Sequence, residues 1–252
     1  ILPYGTKAAD IDYGDKRIVP GFIDVHTHGA YGFDTNDAEP EGLRDWMKRI
    51  PEEGVTAILP TTVTQMPDVL TAALKNVAAV VSEGYEGAEI LGVHFEGPYL
   101  DMEYKGAQPP EAIAKATVEQ FKMYQEAAQG LIKYITMAPE HDENFALTRY
   151  CRETGVVVSM GHSSATYEQA MLGIANGATS MTHVYNGMTP YHHRKPGLVG
   201  TALRVRDIYG EIICDGCHSH LAALHNFFQA KGRDYSIMIS DSLRAKHCPP
   251  GG

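Results

Sequence analysis

Pro20-Gly21-Phe22-Ile23-Asp24-Val25-His26-Thr27-His28-Gly29 is a short apolar run that ends in two histidines one residue apart. Side chains alternate along a strand, so His26 and His28 share a face and both imidazoles can reach one ion. The stretch also lacks the Gly-rich phosphate turn that an open dinucleotide-binding sheet places after its first strand. Seven more runs of strand type follow, over residues 57–63, 89–96, 132–138, 156–162, 180–185, 211–215 and 235–241. Between several of them lie segments with helical spacing, over 69–81, 118–128, 144–152, 166–175 and 221–230. Thr166 with Gln169 three positions on makes a capping box, and Gly155, Gly177 and Gly232 stand where helices should stop. Eight strands alternating with helices predict an α/β fold, a (β/α)8 TIM-type barrel, with an open doubly wound sheet as the alternative.

Barrel enzymes build their sites at the C-terminal ends of strands. Here those ends carry His26 and His28, Glu96, His162, His183 and Asp241, and the seventh strand leads to His218. A single histidine at a strand end is ordinarily a hydrogen-bonded core residue. Six ligand-type residues at five strand ends of one barrel are a different matter. Neutral imidazoles with carboxylates suit zinc and related divalent ions.

The composition excludes several other classes. The 252 residues include 31 acidic and 21 basic side chains, a net charge of −10, which argues against nucleic acid or an anionic membrane as partner. No apolar run approaches the length of a membrane span, and Ile1-Leu2-Pro3-Tyr4-Gly5 does not read as a signal peptide. Four cysteines do not make a disulfide scaffold, so a reducing cytoplasm is the expected location. Cys214 and Cys217 read as packed thiols rather than a redox pair, and His94 as a packing or supporting residue beside Glu96.

Five stretches together resemble the amidohydrolase superfamily, metal-dependent barrel hydrolases, and within it the deacetylases of phosphorylated amino sugars. They are Pro20 to His28, His94-Phe95-Glu96-Gly97-Pro98, Gly161-His162-Ser163, Thr182-His183-Val184-Tyr185-Asn186-Gly187-Met188, and Ser240-Asp241. The likeness covers residues 18–245. It implies that Glu96, His162 and His183 hold one divalent ion, and that His26 and His28 with Asp241 hold a second. Zinc is the expected metal, as one or two ions, with iron, manganese or cobalt as alternatives. Other relatives use a carboxylated lysine from strand four; Met137-Ala138-Pro139-Glu140 offers none.

The implied reaction is hydrolysis of the acetamide of N-acetyl-D-glucosamine 6-phosphate to D-glucosamine 6-phosphate and acetate. Asp241 would take a proton from the attacking water and hand it to the leaving amine. Substrate contacts carry over to Ala107, Gln108, Asn186, Gly187, Arg194 and His218, with Arg194 on the phosphate, in the family across the interface of a homodimer. Gln108 stands where the family often has histidine, and an amide can donate a hydrogen bond but protonates nothing.

The resemblance also divides the chain: residues 1–20 as a remnant of a small β domain, residues 21–252 as the catalytic barrel, cut off after strand eight. Two rival readings remain, an amidohydrolase acting on an unphosphorylated substrate and a metal-binding fragment without catalysis.

Overall fold

The computed structural model describes residue 6 and residues 11–249, so part of the expected small-domain remnant over 1–20, including Ile1 to Gly5, lies outside the described residues. Residues 12–21 form no helix or strand. From Phe22 onward eight parallel strands follow one another around a barrel: β1 (Phe22–Thr27), β2 (Val55–Thr62), β3 (Val93–Glu96), β4 (Ile132–Met137), β5 (Val157–Met160), β6 (Ser180–Met181), β7 (Tyr209–Ile213) and β8 (Ser236–Ile239). Each pairs with its sequence neighbour, the order that short right-handed crossovers produce. Closure between β8 and β1 is made just past the strand end, where Asp241 N donates to His26 O (2.9 Å) and His28 N to Ser242 O (2.8 Å). That closure draws one candidate ligand directly against another.

Among the described residues seven α-helices cover the outside: α1 (Pro40–Arg49), α2 (Pro67–Glu83), α3 (Val118–Ala127), α4 (Ala146–Glu153), α5 (Tyr167–Asn176), α6 (Gly197–Arg204) and α7 (Leu221–Lys231). In α2 the buried Leu70, Ala73, Leu74, Val77 and Val80 recur at helical intervals, Pro67 occupies the first turn and Gly84 ends the helix. The box at the start of α5 is reciprocal: Gln169 N donates to Thr166 Oγ1, and Thr166 N to Gln169 Oε1. α1 and α6 are absent from the sequence reading. The first is a short amphipathic stretch inside a polar segment, and the second contains Gly197 and Gly200, which weaken any helical signal.

Two expected strands are shorter than their apolar runs. The run 89–96 breaks into Glu89–Ile90 and β3 around Gly92, where a Cβ would stand 2.7 Å from Leu131 O. The run 180–185 keeps only β6, because His183 turns to φ 28°.

Strand alternation separates two interiors. Val93, Phe95, Ile135 and Ile212 face the helices, where Phe95 meets Phe121 and Tyr124 at ring-centroid distances of 6.4 and 4.9 Å. Inside the barrel stand His94, Tyr134, Thr136, Ser159, Ser180, Thr182 and Glu211, all buried. The strands are therefore not uniformly apolar as helix-covered strands usually are. Their inner faces are polar and hydrogen-bonded to each other: His94 Nε2 to Thr136 Oγ1, Thr136 Oγ1 to Thr182 Oγ1, Thr182 Oγ1 to Ser159 Oγ, each 2.7 Å.

Loss of the α5 cap should be felt in stability alone. Thr166→Ala is expected to cost about 1 kcal/mol, read as a lower denaturant midpoint with unchanged slope.

Candidate metal centre and active site

Four imidazoles approach one carboxylate at the C-terminal mouth of the barrel. Each presents Nδ1 to an acceptor: His26 to Glu211 Oε2 (2.8 Å), His28 to Thr61 O (3.2 Å), His162 to Tyr104 O (2.8 Å) and His183 to Asn186 O (3.0 Å). A carbonyl or an ionised carboxylate has no proton to give, so Nδ1 carries the hydrogen in all four rings. In the neutral ring Nε2 is then left as a bare lone pair.

Those lone pairs converge. Nε2 of His26, His162 and His183 lie 3.3, 3.3 and 3.4 Å from Glu96 Oε1. His28 Nε2 lies 3.5 Å from Glu96 Oε2 and 3.1 Å from Asp241 Oδ1, which is itself 3.4 Å from His26 Nε2. His162 and His183 bring their Nε2 atoms to 3.1 Å of each other. Two nitrogens bound tetrahedrally to one ion at about 2.1 Å stand roughly 3.4 Å apart, so the spacing suits a shared cation. Without a cation or added protons these acceptors only repel. Accordingly His26 Nε2 and Glu96 Oε1 are buried with no hydrogen-bond partner. The donor set is that of a divalent-cation site, in two groups: Glu96, His162 and His183, and His26, His28 and Asp241. Glu96 touches both groups.

Electrostatics points the same way. Burial opposes charge on His26, yet the neighbouring Asp241 and Glu96 carboxylates lift its imidazole well above the ordinary histidine value. Burial likewise opposes charge on His183, and Glu96 raises it. Burial pushes Asp241 up, but His26 and His28 more than offset this and hold it below the usual carboxylate range. The cage draws positive charge. His94 is the exception: burial pushes it down to about 3, and it stays neutral beneath the site, bonded to Thr136 Oγ1 and Val25 O.

The backbone is strained where these ligands sit. His162, His183 and Asp241 take φ of 48°, 28° and 49°, left-handed conformations that cost a side-chain-bearing residue about 1–3 kcal/mol each. Each follows a barrel strand and turns its side chain over the mouth. Gly187, at φ 58°, lies against the His162 ring, where a Cβ would stand 3.0 Å from Nδ1.

The other expected residues are distributed around this centre. Gln108 is buried; its amide donates to Glu96 Oε2 (2.7 Å) and its oxygen accepts from Thr64 N (2.7 Å), so it holds the shared carboxylate. Ala107 is exposed on the same loop. Asn186 lies in the turn after His183 with a buried, unpartnered Nδ2. Arg194 is exposed and lines an open cleft of ≈ 670 Å³ with Ser164, Thr166, Glu168 and Lys195, outside the ligand cage. His218 is exposed, its Nδ1 2.7 Å from Asp215 Oδ2. Cys214 and Cys217, expected to be packed, are exposed on that loop. Glu211 and Tyr134 escaped sequence reading. The available signal was a carboxylate inside the otherwise apolar segment Ile208 to Ile213.

The fold is that of a (β/α)8 barrel hydrolase, and the chain belongs to the Amidohydrolase family, which matches residues 17–250. It is 45% identical over 242 residues to N-acetylglucosamine-6-phosphate deacetylase of Bacillus subtilis, covering 94% of this chain and 61% of that protein. It is 42% identical to the Lysinibacillus sphaericus enzyme of the same name, again covering 94% and 61%. The crystal structure of N-acetyl-D-glucosamine-6-phosphate deacetylase from Mycobacterium smegmatis superposes with a TM-score of 0.88 at 29% identity, over 98% of this chain and 65% of that one. The chain thus spans about three fifths of the length of the curated relatives it matches.

Cation binding must expel the protons that the carboxylates hold on His26 and His183. Both imidazoles are raised, so competition begins above the ordinary histidine range. Affinity for Zn²⁺, measured by competition with a chelator, should fall as pH drops from about 8 to about 6, with proton release on binding. A pH-independent affinity would contradict this.

Proposed function

We propose that the whole protein to which this chain belongs removes the acetyl group from N-acetyl-D-glucosamine 6-phosphate, giving D-glucosamine 6-phosphate and acetate. The observation that carries the reading is the cage itself: four pinned imidazoles and Glu96, with Asp241 as the one carboxylate of the set that is partly open, at 19% against 2% for Glu96. The names of the relatives supply the substrate.

Glu96, His162 and His183 would hold one cation, and His26, His28 and Asp241 a second; zinc fits the mixed imidazole and carboxylate donors. When bound, such an ion makes water more acidic and polarises the acetyl carbonyl. The protein's own part is proton movement and positioning. Asp241 Oδ1 faces His26 and His28, which leaves Oδ2 to take a proton from water entering at the mouth. The same carboxyl then returns that proton to the amide nitrogen, which cannot leave as an anion. His26 and His28 hold Asp241 below the usual carboxylate range, so it is ionised when water arrives. Asn186 Nδ2, buried without a partner, is a donor for the sugar, together with the backbone at Ala107 and Gly187. His218, held by Asp215, lies on the loop after β7. Gln108 acts through Glu96 rather than on the acetyl group.

The phosphate reading rests on Arg194, whose planar fork suits a phosphate and whose exposed loop leaves it free to serve a neighbouring subunit of a homodimer. A cytoplasmic location fits free thiols at Cys151, Cys214, Cys217 and Cys248. Among the described residues no helix is long and apolar enough to cross a membrane.

Two substitutions test the scheme in the whole protein. Asp241→Asn should lower kcat by about 10²–10⁴ with the fold retained; acetate release at the wild-type rate would sink the mechanism. Arg194→Ala should raise KM for the phosphorylated sugar by about tenfold or more, the loss expected for a charge-assisted hydrogen bond. The unphosphorylated sugar should be unaffected, and equal weakening of both would favour an amidohydrolase acting on an unphosphorylated substrate.

A further inference from the structure

Three of the four cage histidines rest their Nδ1–H on main-chain carbonyls, of Thr61, Tyr104 and Asn186. His26 alone rests on a side chain, and a charged one. Glu211 rises from β7, two strands round the barrel from β1, wholly buried, and accepts at 2.8 Å through Oε2. Its other oxygen lies 2.5 Å from the Tyr134 hydroxyl, which lies 2.6 Å from Ser180 Oγ. A phenol has one proton; given to the carboxylate, it leaves the Ser180 hydroxyl to donate back. The result is a buried chain, Ser180, Tyr134, Glu211, His26, running from β6 and β4 through β7 to β1.

We propose that Glu211 is the positioning residue of the second cation: it fixes the His26 tautomer and ring so that a bare Nε2 faces Glu96 and Asp241. This inference rests on the two-ion reading above. A carboxylate behind a metal-bound imidazole both orients the ring and makes its free nitrogen a better donor. A buried carboxylate is costly unless its lone pairs are satisfied, and here both oxygens are engaged. His26, Glu211 and His94 also lie close enough to suggest a separate cation site. An ion there would have to break existing bonds, because both nitrogens of His94 are engaged, with Val25 O and Thr136 Oγ1, and His26 Nδ1 is engaged with Glu211.

Glu211→Gln removes the charge and leaves one acceptor oxygen for two donors. The test strips wild type and variant of metal, titrates each with Zn²⁺, and reads ions bound per chain and their affinities. Histidine ¹⁵N spectra of the metal-free proteins, recorded at a pH high enough to strip the second proton from His26, report its tautomer. The variant should lose about 10- to 100-fold in affinity for one ion and keep the other, while His26 shifts from Nδ1–H to a mixture. Tyr134→Phe, which removes the phenol and keeps the carboxylate, should weaken the same ion to a smaller degree; it decides the matter if the first variant does not fold. Unchanged affinity for both ions with an unchanged tautomer overturns the proposal, and so does equal loss of both, which marks a general defect of the barrel. A wild-type chain that binds a single ion refutes the two-ion reading instead. In that case an unaltered tautomer in the metal-free variant still overturns the role of Glu211, and an altered one supports it.

Discussion

The crowding of imidazole Nε2 atoms around Glu96 is the constraint on which the rest of this structure depends. Three Nε2 atoms stand within 3.4 Å of one carboxylate oxygen, and two of them within 3.1 Å of each other. Such an arrangement is repulsive unless a cation or protons enter, because a buried unpartnered acceptor costs about 1–3 kcal/mol. It persists because each ring is held from behind at Nδ1 and each strand end is fixed in the barrel wall. The left-handed turns at His162, His183 and Asp241 are part of the same arrangement. Fold stability is spent at the mouth to hold a site open for positive charge.

That view explains why the barrel interior is polar. An apolar filling would leave nothing to support the ligands from below. Instead Thr136, Thr182 and Ser159 bond to one another, His94 bonds to Thr136, and Tyr134 with Glu211 reaches up to His26. The apolar core has moved outward, between strands and helices, where Phe95 and Phe121 pack. Stability and chemistry are therefore carried by opposite faces of the same strands: Phe95 faces out and Glu96, the next residue, faces in.

Much of this was legible because strand ends in a barrel are both periodic and chemically distinctive. His26-Thr27-His28, Glu96, His162, His183 and Asp241 stand out as polar residues ending apolar runs, and the structure brings all six together. The capping box at Thr166 was legible for the same reason, being a local pattern with a local cause. What escaped is non-local. Glu211 meets His26 across 185 positions of sequence, and no spacing rule links them. The resemblance makes Gln108 a substrate contact; that its amide also lies on Glu96 and Thr64 is a contact fixed by how the loop folds back. The exposure of Cys214 and Cys217 depends on the loop after β7, which periodicity does not describe.

The central claim is a two-cation cage built on Nε2 of four histidines with Glu96 between them. Anomalous diffraction from crystals of the zinc-loaded protein tests it most directly. The account predicts two peaks, one about 2.0–2.2 Å from Glu96, His162 and His183 and the other equally near His26, His28 and Asp241. An ion bound through Nδ1, or no ion in the barrel mouth at full zinc occupancy of the protein, would contradict it.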